Sequence, residues 1–520
     1  MKANILARLL ILAFVGSAYF AFVDLGAGRC LPIGICDPNE TDFIQQAAAM
    51  TTSALKPSKY DHPAHLDAML LILSWKIFGV APGAEPVNVL VARRLTIFVS
   101  MLNLFLVLGL ARRLGLSGAF VAMAGGIYVS SRLIMLHAQL FRSDLFMTCA
   151  FLCATHAFLS YATTGRWRWM ILGSVATGLA VTSKYPGLLA ATPGLILCVR
   201  DWWNKKNRVA TIPLMGVGGV LLGVLLGSPY LLFNLPEVRD YLKEELVTVH
   251  LGADGLGFLG NLGFYCQTLF QDVGNVTLLV ALLSLLAMIG SSWRFREDDV
   301  KTQRIIVAIN PIVFASAMAW LSLHWDRWII PVIPFVAVSA AWGTARVFEK
   351  WKAHALLGRV VLSLWLACAL APPLLYMTIS NIASMRGDTR IDTLAWAQQR
   401  GLLQGGRFKY ERYCFPREYR GMFGADPNLD YYKKEQTQWL CVNASFWHRF
   451  RSEPAKFEAE VAFYDYLDRH APVAYETRPI RERPVSDLAF VSDLLREPEA
   501  YSGKMGFTTR VYDLSHIVTR

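Results

Sequence analysis

The stretch WMILGSVATGLAVTSKYPGLLAATPGLILCV, residues 169–199, decides the fold class. Two apolar runs, 169–183 and 186–199, hold one charge between them, Lys184, at the break Thr182-Ser183-Lys184-Tyr185-Pro186-Gly187. Apolar runs of about spanning length, apolar on every side, belong in lipid. The Pro-Gly pair forces a turn at the boundary.

Working outward, similar runs recur near 89–111, 118–136, 145–163, 209–232, 273–292, 305–323, 328–348 and 358–379. The N-terminus sets Lys2 and Arg8 in an apolar run to Val23 with no small-x-small cleavage site after it, so it reads as an uncleaved first span. That predicts an α-helical polytopic membrane protein with about eleven transmembrane helices. The composition agrees: 54% of residues are hydrophobic, 17% are charged and the mean hydropathy is +0.37.

Charge is unevenly placed. Residues 1–379 hold 30 basic and 20 acidic side chains, residues 380–520 hold 21 and 19. The second segment is charged at about twice the density of the first, which places a boundary near Ser380 and predicts a small soluble α/β domain over 380–520. Helices are expected at Asp392–Arg400 and Pro454–His470, and strands at Phe408–Phe415, Trp439–Asn443, Val473–Glu476 and Thr509–Asp513. The net charge of +12 lies mostly in the apolar part, and no zinc-finger spacing, basic helix or RNA-binding signature accompanies it, so nucleic acid is not an expected partner.

Loop charges set the orientation. If 64–80 lies on the surface as an amphipathic segment, the loops assigned inside carry sixteen basic residues and the short ones assigned outside carry five. If 64–80 crossed, every later loop would invert. The long loops 24–88 and 233–272, and the tail, are therefore expected on the extracytoplasmic side of a bacterial inner membrane or its equivalent. Cys30/Cys36 and Cys414/Cys441 are candidate disulfides there.

The chemistry-bearing residues gather on that side. Asp37-Pro38-Asn39-Glu40-Thr41-Asp42 places three carboxylates in six positions before a helix-forming run; an acidic helix cap is the plain reading, a general base the functional one. His62-Pro63 is either a bend or a phosphate or metal ligand. Asp144, after Arg142-Ser143, suits a helix N-terminus at a span end, where a carboxylate is costly and tends to mark function. Lys184 either snorkels or holds a lipid phosphate. Arg327, between Trp325 and Trp328, belongs to an interfacial belt or pairs with phosphate. The loop 233–272, with Glu244, Glu245, His250, Asp254 and the Gly252–Gly263 run, is a mobile loop or a lid. Both sequons, at Asn39 and Asn443, read as chance.

These motifs resemble the GT-C membrane glycosyltransferases, in particular glycosyltransferase family 39 with its protein O-mannosyltransferases and lipid A aminoarabinose transferases. The likeness is carried by Thr41-Asp42-Phe43, His62-Pro63-Ala64, Lys76-Ile77-Phe78-Gly79, Ala111–Gly115, Arg142-Ser143-Asp144, Thr182–Gly187, and Asp326-Arg327-Trp328 with Pro331 and Pro334. It implies a polyprenyl-phosphate monosaccharide donor, a glycan, lipid or protein acceptor, and inversion at the sugar carbon. A first-loop acid would be the base: Asp42 first, Glu40 second, Asp37 third, since the family's Asp-Glu pair is replaced here by Glu40-Thr41-Asp42. Asp144 would organise the site or, with Asp42, hold a divalent metal ion. Lys184, Arg327 and His62 would hold the donor phosphate. A transporter or flippase is the alternative, but no internal repeat and no mid-membrane acid supports it.

Overall fold

The computed structural model describes residues 2–518 except 32, 34–35, 59, 61–62, 205–210, 248–255, 293–298, 350–354, 405, 417–418 and 420. Helix α1 (Lys2–Asp24) leads into the first loop, which holds α2 (Pro38–Met50) and α3 (His65–Phe78). Then come α4 (Pro86–Arg113), α5 (Gly118–Ser130), α6 (Arg132–Ala138), α7 (Ser143–Thr164) and α8 (Trp167–Ser183).

Among the described residues, the apolar runs read from the sequence fall on helix apart from short breaks such as Ser131, Ser228–Pro229 and 321–323. Among the described residues, five helices are long and apolar enough to cross a membrane: Pro86–Arg113, Ser143–Thr164, Val300–Trp320, Asp326–Glu349 and Val360–Arg386. The pair α5–α6, bent by 61°, makes a sixth if taken as one broken span. Leu10–Asp24, Thr211–Gly227 and Asn275–Ser291 are shorter apolar helices. The 169–199 stretch is α8, a 3-10 turn Tyr185–Ala191 and the helix Thr192–Trp203. The segment 64–80 is α3, with His65, Asp67, Leu71 and Trp75 buried and Leu73, Ile77 and Phe78 exposed.

Helix Asp326–Glu349 runs through the middle of the bundle, with 89% of its apolar window buried. Helix Thr211–Gly227 shows how the periphery is built. Gly178 of α8 meets Gly223 so closely that a Cβ on Gly178 would lie 2.2 Å from the Val220 carbonyl oxygen. Its other side, with Leu214 and Val217, is exposed. Small residues inward and large apolar ones outward are what lipid solvation selects.

Helix Ala355–Arg386 continues past Ser380 and leads into the tail. The tail carries a four-stranded sheet, β1 (Phe408–Tyr410), β2 (Trp439–Asn443), β3 (Val473–Thr477) and β4 (Thr509–Asp513), in the order β1-β2-β4-β3. Only β1–β2 is parallel. Helices Thr389–Gln399 and Glu458–His470 overlap the expected 392–400 and 454–470, the second beginning four residues later, and β1 stops at Tyr410 instead of running to Phe415; Ala444–Ser452 and Asp487–Arg496 are additions. Asn443 is fully buried as the cap of Ala444–Ser452 and accepts from Ser445 N at 2.9 Å, so its sequon is unavailable for modification. Cys30–Cys36 is a disulfide, whereas Cys414 and Cys441 lie buried side by side as thiols.

The tail packs on one end of the bundle. Asp487 accepts from Asn275 N at 2.9 Å at the start of helix Asn275–Ser292, and Arg483 donates to the Gln271 carbonyl. Arg390 donates to the Cys36 carbonyl of the first loop. Arg390 itself is held by Asp388, at 2.7 and 2.8 Å. Burial pushes the Asp388 pKa up, but Arg390 and Arg29 outweigh it and leave the carboxyl below its ordinary range. A depressed pKa means that the stabilisation is complete above the unfolded value and is lost as pH falls through the folded one. Lowering the pH from about 6 to about 3 is therefore expected to loosen the tail from the first loop, read as faster limited proteolysis after Arg386. Unchanged protection across that range would contradict this.

Candidate active site

The end of the bundle covered by the tail collects four chain segments. Helix α7 begins just after Arg142, and the Asp144 carboxylate lies in its first turn, 2% exposed. Free N–H groups there favour a negative charge. Lys184 Nζ donates to Asp144 Oδ1 at 2.6 Å and stands 5.7 Å from the Trp328 ring centre. The extended residue Lys184 ends α8, and Gly187 N bonds back to its carbonyl at 2.8 Å. Gly187 is required there, because a Cβ would fall 2.3 Å from the Ala180 carbonyl carbon.

The first loop supplies Asp37. It caps α2, accepting from Asn39 N at 3.0 Å and Glu40 N at 3.1 Å on Oδ1, and it takes Arg142 on Oδ2. Burial pushes its pKa up, but Arg142, the Glu40 amide and Arg327 more than offset this, so the carboxyl sits well below its usual range and is ionised. Arg142 is 7% exposed, and its Nε, buried, has no partner. Arg327, in the 3-10 turn Asp326–Val332, lies in the electrostatic field of both Asp37 and Asp144.

Of the residues singled out in the sequence, Asp144, Lys184 and Arg327 come together, and Asp37 joins them through Arg142. Glu40 does not. It is fully buried, bonded by Arg93 Nε at 2.9 Å and Nη2 at 2.7 Å, and Phe141 N donates to the same carboxylate at 2.9 Å. Arg93 also holds the Ala27 and Arg29 carbonyls, at 2.5 and 2.9 Å. Glu40 thus ties α2 to α4 and to the irregular segment before α7. Two residues on, at about 100° per residue, Asp42 lies on the opposite face of α2, half-buried. His62 and, in the later loop, His250 and Asp254 lie outside the described residues.

Replacing Arg93 by Met would leave the buried Glu40 charge uncompensated, at a cost of about 3–5 kcal/mol. The expected result is a large drop in the melting temperature of purified protein; a shift worth less than about 1 kcal/mol would contradict the anchoring role.

Two further groups belong to the site without having been read as site residues from the sequence. His137, at the end of α6, faces Arg142 and Asp144, and its Nδ1 is buried without a partner. Asp67, 1% exposed, accepts from Ser183 Oγ at 2.7 Å, and its Oδ2 is unpartnered. Ala64 N also bonds the Ser183 carbonyl, at 3.1 Å, so α3 is docked on the residue before Lys184. An acid inside an apolar run is the pattern that marks Asp67.

The residues do not form a ready metal site. Asp144 is engaged by Lys184, and among the described residues neither it nor Asp42 stands in a group of three converging ligands. The one such group is Cys30, Cys36 and Asp388, whose sulfurs are joined to each other and whose carboxylate is held by Arg390. No step below runs through a metal.

The site can therefore do two things: present an ionised carboxylate, and hold an anion among Lys184, Arg142 and Arg327. Residues 73–237 match the family model for dolichyl-phosphate-mannose-protein mannosyltransferase. No curated protein sequence matches the chain. The fold is similar to that of ArnT from Cupriavidus metallidurans bound to undecaprenyl phosphate, with TM-score 0.51 and 13% identity over 86% of this chain and 95% of that one. It is also similar to the archaeal oligosaccharyltransferase AglB from Archaeoglobus fulgidus in complex with an inhibitory peptide and a dolichol-phosphate, with TM-score 0.50 and 12% identity over 88% of this chain and 72% of that one. Residues 73–237 thus carry the pattern of that mannosyltransferase family, and the helical bundle with its small sheet-bearing tail is similar in fold to both solved structures.

Proposed function

We propose that the protein transfers a monosaccharide from a polyprenyl-phosphate donor to an extracytoplasmic acceptor, with inversion at the sugar carbon. The observation that carries this is the convergence of Lys184, Arg142 and Arg327 on Asp144 and Asp37 at one end of the bundle. The loop charges support an extracytoplasmic position for that end. The ArnT structure with its undecaprenyl phosphate supports the lipid class.

In this reading Asp37 is the base. Its carboxylate accepts the acceptor hydroxyl proton while the hydroxyl oxygen bonds the anomeric carbon and the bond to the donor phosphate breaks. The departing phosphate gains charge, and Lys184, Arg327 and the buried, unpartnered Arg142 Nε are the groups that would meet it. Asp144 holds Lys184 in place. Glu40 positions α2 and so the cap at Asp37. Residues 1–379 would form the catalytic unit and 380–520 a cover that shapes the acceptor side.

The test is binding of undecaprenyl phosphate to the purified protein in nanodiscs. Saturable binding that weakens at least tenfold in Arg327→Gln is expected. No saturable binding by the wild-type protein would overturn the donor class.

A further inference from the structure

The tail helix Asp487–Arg496 is apolar over more of its surface than the protein covers. At about 100° per residue, Phe490, Leu494, Val491, Leu495 and Leu488 follow one another around an arc of about 160°. Only Asp487, at the helix start, interrupts the arc, and it is engaged by Asn275 N and by Arg483. Ser492, Asp493 and Arg496 take the other side. One half of the arc is packed. Phe490 is fully buried, its ring 5.5 Å from that of Tyr376, and Leu494 joins the same cluster. The other half is bare: Leu488 is 83% exposed, Leu495 79% and Val491 37%. Burying such side chains is favourable, and a bare apolar stripe of this kind marks a contact surface.

Its position decides what covers it. A Cβ on Gly274 would lie 3.2 Å from Asp487 Oδ2 and 3.2 Å from Pro373 Cγ. The start of the tail helix, the start of helix Asn275–Ser292 and Pro373 therefore meet at one level. Pro373 lies inside the apolar run 358–379 of helix Ala355–Arg386, about 9 Å short of its end. Tyr376 and Ile379, further along that run, pack in the cluster with Phe490 and Leu494. The tail helix thus lies alongside the last turns of a membrane span and not beyond them. That span leaves Leu374, Leu375, Ile382 and Met385 exposed on its own surface, and the bare stripe adjoins the surface the span gives to lipid.

We propose that helix Asp487–Arg496 is a membrane-interface helix. Leu488, Val491 and Leu495 enter the acyl region of the leaflet on the tail side, while Asp493 and Arg496 stay at the headgroup level. A helix with one apolar face is stable lying in the plane of the interface in this way. The tail is then held by lipid as well as by Asp487 and Arg390, and the bilayer sets how it sits over the end of the bundle. The inference goes beyond the transferase reading and needs only that the bundle spans a membrane.

The test is photo-crosslinking of full-length protein in phosphatidylcholine nanodiscs, with p-benzoylphenylalanine replacing Leu488, Leu495, Leu214 or Lys433 one at a time. Leu214, 73% exposed on helix Thr211–Gly227, is the lipid-facing reference. Lys433, exposed on the tail helix Leu429–Lys434, is the reference for water. Mass spectrometry of the irradiated protein reads the phospholipid adduct. Positions 488 and 495 are expected to give about the adduct yield of position 214, and at least about fivefold more than position 433. Yields at 488 and 495 no higher than at 433 would overturn the proposal. So would a second copy of the chain, or another protein, captured there in place of lipid. No adduct at position 214 either would remove the membrane placement of the bundle, and the proposal with it. All four side chains are exposed, and unchanged melting temperatures guard against misfolding as the cause.

Discussion

Asp37→Asn is expected to lower the turnover number for sugar transfer by about 10²–10⁴, the range lost with a general base. Asp42→Asn is expected to stay within a few-fold of wild type. The contrast follows from helix geometry. Asp37 is the cap of α2, bonded to Arg142 and in the field of Arg327. Asp42 is five residues on and points away from the Glu40 face. The substitution also controls for local unfolding, because Asn caps a helix as well as Asp does. Loss of the Arg142 pair carries its own stability cost, so the melting temperature is read alongside. A fully active Asp37→Asn, or an inactive but folded Asp42→Asn, would move the base to Asp42.

Lys184→Met is expected to fail in two ways that a second substitution separates. It leaves the Asp144 carboxylate, 2% exposed, without its cation, which costs about 3–5 kcal/mol. It also removes a donor to the departing phosphate, worth about 10²–10³ in turnover. Adding Asp144→Asn removes the stranded charge. The double variant should therefore regain most of its stability and remain at least about 100-fold slow, since the two losses have different origins. A double variant that recovers both would make the pair structural. One that recovers neither would mean that Asp144 has a further partner in the reaction.

Much of the scaffold was legible because lipid leaves a simple signature. Among the described residues the long apolar runs, broken at Lys184 and Arg142, fall mainly on helix, and the four tail strands lie within the segments expected as strands or one residue beyond them. The Cys30–Cys36 bridge was legible from two cysteines in one loop. Lys184 and Asp144 were legible because a charge at the end of an apolar run is conspicuous. Their direct bond was not, since 40 residues separate them.

The first-loop acids show where spacing runs out. Asp37, Glu40 and Asp42 look equivalent as letters. Which of them meets the site depends on the phase of α2 and on which acid finds Arg93, 53 residues away from Glu40, and which finds Arg142, 105 away from Asp37. The cap position and the helical period together would have separated Glu40 from Asp42, but not told which face looks inward. His137 and the contact of Arg449 with Trp325 exist only through tertiary packing, so no local pattern marks them.

The decisive measurement is transfer of radiolabel from a panel of polyprenyl-phosphate monosaccharides, using purified protein with envelope lipids and glycans as acceptor. At least one donor should lose its label to an acceptor, at a rate cut by about 10² or more in Asp37→Asn and in Lys184→Met/Asp144→Asn, both still folded. Label that moves equally fast in all three proteins, or in none while undecaprenyl phosphate is bound, would show that the pocket of Asp37, Asp144 and Lys184 is not where a sugar changes hands.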